Sequence, residues 1–317
     1  MNEYLALILG FLFLFAGGHF LIQSSVLIAR RFNISDMVIG ITVVALGTSA
    51  PELFVSLKAI FAGSADISIS NVIGSNIANI VLVLGLVAII FPIKVKKKGV
   101  WIDWSVMMFA SLLLYLFSWN NNKLNVWEGI TFLVLLVLYM LWLIYDTKSK
   151  NEKLEKNSIE DSIELKKQKP LIFIAVIFIM SVLGLYYGSD RLVYGARNIA
   201  ASFGISERVI GITVIAFGTS VPELVTSLIA AFKKNTDISI GNIIGSNIFN
   251  IFAILGVTAS VKRLDVNVAF LEWDYLWMIG IALLLFLMLL PLSRGVISRW
   301  KGVVLVTVYV VYIYFLF

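Results

Sequence analysis

Two glutamates, Glu52 and Glu223, stand inside long apolar runs, each directly after a proline, in the matching stretches GTSAPELFVS (47–56) and GTSVPELVTS (218–227). A charge at the centre of a bilayer costs roughly 2.5–3.5 kcal/mol even on insertion scales, so a carboxylate placed there twice implies a use. Pro51 has no N–H to give the carbonyl of Gly47, and Pro222 leaves Gly218 in the same position. The expectation is that backbone oxygens near Ala45 to Thr48 and Ala216 to Thr219 are freed, with the hydroxyls of Thr48, Ser49, Thr219 and Ser220 beside them. A second motif completes the set. Asn71, Ser75 and Asn79 fall at i, i+4 and i+8, on one helical face, as do Asn242, Ser246 and Asn250. Gly74 and Gly245 are expected to let a neighbouring backbone approach closely. With no Cys and a single His, His19, the donor set is all oxygen. It suits sodium, calcium, magnesium or manganese rather than zinc or copper. Calcium, which accepts about 6–8 oxygens in flexible geometry, fits better than magnesium.

The elements that must carry these residues are membrane helices. Hydrophobic residues make up 60% of the 317 and charged residues only 14%, with a mean hydropathy of +0.96; soluble domains average about 25% charged. The fold class read from this is an all-α polytopic membrane protein. Ten transmembrane helices are expected, at roughly 4–29, 37–62, 69–91, 100–118, 126–146, 171–200, 208–232, 240–260, 271–291 and 299–317, several of them reaching the ~20 residues a crossing needs. Shifting the chain by 171 residues aligns positions 35–88 with 206–259 without a gap, 33 of 54 identical, so the chain is two copies of one unit. Each copy holds five helices. Because five is odd, the second must enter the membrane from the opposite face, giving two inverted-topology five-helix repeats. The expected organisation is a first repeat over 1–146, a charged cytoplasmic linker over 147–170 and a second, inverted repeat over 171–317. Most of the 25 basic residues fall in loops on one side of this arrangement. The positive-inside rule then puts both termini outside and the linker in the cytoplasm, which also accounts for the net charge of +6 without a nucleic-acid partner.

The pairs GTSAPE with GSNIAN and GTSVPE with GSNIFN, set in a five-plus-five inverted repeat, resemble the cation/calcium exchanger superfamily, specifically its prokaryotic sodium/calcium exchangers. The resemblance covers both halves. It implies a secondary active antiporter of the cytoplasmic membrane that moves calcium against sodium by alternating access, typically three sodium ions per calcium, and therefore electrogenically. It also implies calcium between Glu52 and Glu223 with Thr48 and Thr219 as carbonyl ligands. Sodium would sit on Ala45, Thr48, Ser49, Ser75, Asn79, Ala216, Thr219, Ser220, Ser246 and Asn250. Some members carry Asp where this chain has Asn250, as do potassium-dependent relatives; the neutral amides here argue against a potassium requirement.

Two other readings stay open on the residues. A proton/calcium antiporter of the same superfamily would also use glutamates, and a passive cation channel would use a ring of carboxylates. An enzyme is not expected, since no nucleophile–base pair is apparent and His19 has no ligating partners. No cofactor and no obligatory protein partner are expected beyond the transported ions and the lipid bilayer. The first and sixth helices are expected to move, their Gly17, Gly18, Gly184 and Gly188 sliding over the rest of the bundle.

Overall fold

The computed structural model describes residues 2–32, 34–63, 65–95, 97–120, 122–155, 170–203, 216–290 and 296–316. The remainder of the charged linker (156–169), the start of the seventh expected span (208–215) and the loop basic residues Arg208 and Arg294 lie outside the described residues. Twelve helices are described: α1 Glu3–Arg31, α2 Asp36–Thr48, α3 Ala50–Phe61, α4 Ala65–Ile90, α5 Lys97–Trp119, α6 Val126–Glu155, α7 Leu171–Ser202, α8 Ala216–Thr219, α9 Val221–Phe232, α10 Thr236–Val261, α11 Phe270–Leu289 and α12 Arg299–Leu316. Seven are long and apolar enough to cross a membrane, or eight when the bent pair α2–α3 counts as one span.

Local sequence explains the starts and breaks. The Asn2 side chain accepts from the Tyr4 N–H at 2.9 Å, and Ser35 caps α2 through the Val38 N–H. The 44° bend between α2 and α3 falls at Ser49, two residues before Pro51. Ser220 takes the same non-helical backbone angles before Pro222. Gly40–Val44, Asn79–Leu84, Asn250–Leu255 and Phe270–Asp274 wind as wide π turns inside their helices, a local form frequent at functional sites.

Polarity is inverted relative to a soluble protein. Phe15, Tyr145 and Ile172 are among many large apolar side chains on the surface, while Glu52, Asn79, Asn242, Glu223 and Asn250 are fully buried. Helices α4 and α10 are the most enclosed of the spans. Two short antiparallel ribbons tie the halves of the chain together. β1 (Ile93–Lys94) pairs with β4 (Val296–Ile297), and β2 (Lys123–Leu124) pairs with β3 (Leu264–Asp265). Two buried or half-buried aspartates are paired in matching fashion. Tyr139 donates to Asp103 at 2.8 Å and Tyr312 to Asp274 at 2.9 Å, joining α5 to α6 and α11 to α12.

The glycines of α1 and α7 behave differently from expectation. A Cβ on Gly10 would lie 2.7 Å from the Leu192 nitrogen, on Gly17 2.9 Å from the Leu185 nitrogen, and on Gly188 2.8 Å from the Leu14 nitrogen. These glycines seat α1 and α7 against each other, antiparallel and backbone to backbone. They do not lubricate a slide over the bundle. Gly18 alone faces the bundle, against Ile229 and Val225 of α9.

Candidate cation site

The bend at Ser49 places two opposite helix ends together. The last turn of α2 carries Ala45 and Thr48, and the first turn of α3 carries Glu52, where the positive end of the helix dipole favours a carboxylate. Helices α8 and α9 repeat this with Ala216, Thr219, Ser220 and Glu223. Thr48, Ser49, Glu52, Ser75, Asn79, Ser220, Glu223, Ser246 and Asn250 are all buried.

The structure brings the first motif onto the second. The Thr48 hydroxyl lies 3.1 Å from Asn242 Oδ1 and 3.4 Å from Ser246 Oγ. Ser49 donates to Glu223 Oε1 at 3.2 Å, and Ser246 donates to the same oxygen at 3.5 Å. Close approach makes this possible: a Cβ on Gly245 would stand 2.5 Å from the Ile41 carbonyl oxygen and 2.9 Å from Ala45 Cβ. Gly74 has no described atom within 4 Å of the same test position. The residue matching Ile41 is Ile212, outside the described residues.

Among the described residues, seven buried side-chain oxygens of the expected site have no protein hydrogen-bond partner: both of Glu52, Oε2 of Glu223, the hydroxyls of Ser75 and Ser220, and Oδ1 of Asn79 and Asn250. Buried polar groups are normally satisfied, as Asp103 and Asp274 are here. Gathered around two carboxylates, these oxygens form the pattern a bound cation would satisfy. Among the described residues no three His, Cys, Asp or Glu side chains group to hold a metal. The donor set is two carboxylates with neutral oxygens, a combination suited to a hard cation.

Two backbone oxygens in the stretches expected to be freed have other engagements. The Ala45 carbonyl accepts the Ser49 N–H at 2.9 Å and lies 3.3 Å from the Thr48 hydroxyl. The Gly218 carbonyl, which Pro222 leaves without a helical donor, is taken instead by the Ser189 hydroxyl of α7. The position matching Ser189 is Gly18, which has no hydroxyl to offer Gly47.

That difference belongs to a broader asymmetry. Ser49 reaches across to Glu223, whereas Ser220 and both Glu52 oxygens have no partner among the described residues. On the Glu52 side a cleft of about 180 Å³ runs between α3 and α7, lined by Pro51, Lys58, Ser189, Asp190 and Thr219. On the Glu223 side Gly18 of α1 is seated directly on α9. A cleft borders one side of the site at Pro51 and Thr219, and the matching contact on the other side is closed.

Several participants escaped the sequence reading. Ser56 and Ser227 accept from Asn71 and Asn242, each at 3.0 Å, and Asn71 also donates to the Glu52 carbonyl at 3.2 Å. These contacts bolt α4 to α3 and α10 to α9. Asn76 and Asn247 make inter-helix amide contacts as well. All four occur in both copies, so identity at the 171-residue shift was the available signal. His19 is exposed, with its ring against Phe20.

A family model described as sodium/calcium exchanger protein matches residues 3–145 and 173–317. The chain belongs to the sodium/calcium exchanger family. Among its relatives is a putative antiporter, CaxA, of Alkalimonas amylolytica, 39% identical over 291 residues, covering 92% of this chain and 91% of that protein. The sodium/calcium exchanger MaX1 of Methanosarcina acetivorans is 33% identical over 352 residues, covering 99% and 98%. A solved structure of the sodium-calcium exchanger NCX_Mj superposes with a TM-score of 0.81 at 34% identity, covering 98% of this chain and 97% of that one. These matches place the chain on the prokaryotic branch of the cation/calcium exchanger superfamily, a family of transporters rather than enzymes.

Proposed function

We propose that this protein is a secondary active antiporter that exchanges calcium for sodium across the cytoplasmic membrane by alternating access. One observation carries the reading: the group of buried, unpartnered oxygens around Glu52 and Glu223. Two unit charges about 4 Å apart repel by about 4 kcal/mol at an effective dielectric of ~20, and a cation between them removes that penalty along with much of the desolvation cost. Calcium takes Glu52 and Glu223 with the Thr48 and Thr219 carbonyls. Sodium takes the Ala45, Thr48, Ser49, Ser75 and Asn79 group and the Ala216, Thr219, Ser220, Ser246 and Asn250 group. The two ion sets share Thr48 and Thr219, so occupation by one excludes the other. That exclusion couples the fluxes.

The chain crosses the membrane ten times in two inverted five-helix repeats, 1–146 and 171–317, with the linker 147–170 in the cytoplasm and both termini outside. The repeat at 171 residues and the distribution of Lys and Arg support this topology. In that orientation the cleft beside Lys58 and Asp190 opens outward, and closure of α7 over α3 with opening of α1 from α9 exposes the site inward. Three sodium ions against one calcium move net charge in each cycle. The test compares driving ions. Calcium-45 uptake into vesicles should follow an imposed sodium gradient and ignore an imposed pH gradient; the reverse result assigns the chain to proton/calcium antiport.

A further inference from the structure

Asn76 and Asn247 sit between the expected ligands and are nearly fully buried, yet neither is itself one of those ligands. Their contacts form two matching chains. In one, Asn250 Nδ2 donates to Asn76 Oδ1 at 3.0 Å, and Asn76 Nδ2 donates to the Asn247 backbone carbonyl at 3.3 Å, with Met278 Sδ at 3.7 Å. In the other, Asn79 Nδ2 donates to Asn247 Oδ1 at 3.3 Å, and Asn247 Nδ2 faces Met107 Sδ at 3.5 Å. Each chain ends on an atom that only accepts, a backbone carbonyl or a thioether sulfur. That end sets the direction of the whole chain. Asn76 must turn its NH2 to the Asn247 carbonyl, so its oxygen faces Asn250. Asn250 must then give its NH2 to Asn76, which leaves its own Oδ1 as the atom without a protein partner. Asn79 arrives at the same result through Asn247, and both leftover oxygens are buried and unpartnered.

We propose that Asn76 and Asn247 are positioning residues that hold the side-chain amides of Asn250 and Asn79 with the carbonyl oxygen, and not the NH2 group, presented to sodium. An amide turned the other way would point two N–H donors at a cation and would also lose its hydrogen bond. The π turns that begin at Asn79 and at Asn250 widen the helix where each amide must reach sideways to its partner on the other helix. Met107 and Met278, both buried in the core, are the weak acceptors that back the pair.

This inference rests on Asn79 and Asn250 being sodium ligands, and the experiment separates the two claims. In proteoliposomes, sodium-driven calcium uptake gives the half-saturating sodium concentration. Calcium-for-calcium exchange, which needs no sodium, is measured on the same preparation. Asn76→Leu removes both donor and acceptor and should raise half-saturating sodium by about threefold to tenfold, the equivalent of one hydrogen bond, while calcium-for-calcium exchange stays near wild type. Asn76→Asp, in its neutral acid form, restores one donor and one acceptor in the same shape and should return half-saturating sodium toward wild type. Asn76→Ser, smaller and milder, is measured alongside in case Asn76→Leu folds poorly. Unchanged half-saturating sodium in the variants overturns the proposal. Equal loss of both exchange modes in Asn76→Leu and Asn76→Ser overturns it too, because the residue is then only structural. Absence of sodium-driven uptake in the wild type refutes the exchanger reading itself.

Discussion

Replacing Gly245 with alanine tests whether the ion site depends on the contact between α10 and α2. The added Cβ would stand 2.5 Å from the Ile41 carbonyl oxygen, 2.6 Å from Ile41 Cα and 2.9 Å from Ala45 Cβ, whereas ordinary contact begins at 3.4 Å. Two of these atoms are backbone and cannot rotate away, so the helices must separate by about 0.9 Å in a close-packed interior. Overpacking of this kind costs about 1–3 kcal/mol. The functional cost is larger than the stability cost. Thr48 already sits 3.4 Å from Ser246 and 3.1 Å from Asn242, and a further ~0.9 Å breaks both contacts and carries Ala45 and Thr48 away from Glu223. Displacing a positioned group by about 1 Å can cost about 100-fold in rate. Gly280→Ala supplies the control, since nothing lies within 4 Å of a Cβ there. Purified variants compared by thermal unfolding and by initial calcium-45 flux should show Gly280→Ala at wild-type level and Gly245→Ala folded but transporting at a few per cent or less. Wild-type flux in Gly245→Ala refutes the claim that this approach holds the site together.

Glu52→Gln should fold as well as the wild type, because neither Glu52 oxygen has a protein hydrogen bond to lose. Calcium at about 100 times its dissociation constant should stabilise the wild type by about 2.7 kcal/mol and leave Glu52→Gln unmoved; an equal calcium-dependent shift in both proteins contradicts the assignment. Flux should respond to a clamped membrane potential, since each cycle moves net charge, and indifference to voltage rules out three-for-one exchange. In the naturally cysteine-free chain, a disulfide between engineered cysteines on α1 and α7 should preserve exchange, because their glycines pack them as one body, while one between α1 and α9 should stop it. Full activity with the second bridge closed places the moving element elsewhere.

The glutamates, hydroxyls and Asn–Ser–Asn faces were legible in the sequence because two copies carry them at a constant shift and because polar groups in apolar runs have few alternative explanations. The described long helices fall where runs of apolar residues place them, while the expected span 37–62 breaks at Ser49. The amide chains through Asn76 and Asn247 were not legible. Sequence places both asparagines beside the expected ligands, but only the approach of α4 to α10 decides which nitrogen meets which oxygen. The asymmetry was hidden by the similarity of the copies. It rests on single differences such as Ser189 against Gly18, and on the pose of α7 relative to α3. In sequence, the glycines of α1 and α7 suggest surfaces for sliding. Small residues permit close contact with whatever neighbour arrives, and here the neighbour is the other helix of the pair. The ribbons at Ile93–Lys94 with Val296–Ile297 and at Lys123–Leu124 with Leu264–Asp265 are too short to leave a periodic signal.

Calcium-45 uptake into sodium-loaded proteoliposomes diluted into sodium-free buffer, run in parallel for the wild type, Glu52→Gln and Glu223→Gln, bears most directly on the central claim. Rapid uptake by the wild type that collapses when the sodium gradient is removed, and that neither variant shows although both are folded, is the predicted result. Uptake that persists in either variant, or that is indifferent to sodium in the wild type, contradicts the assignment of Glu52 and Glu223 as the shared cation site of an exchanger.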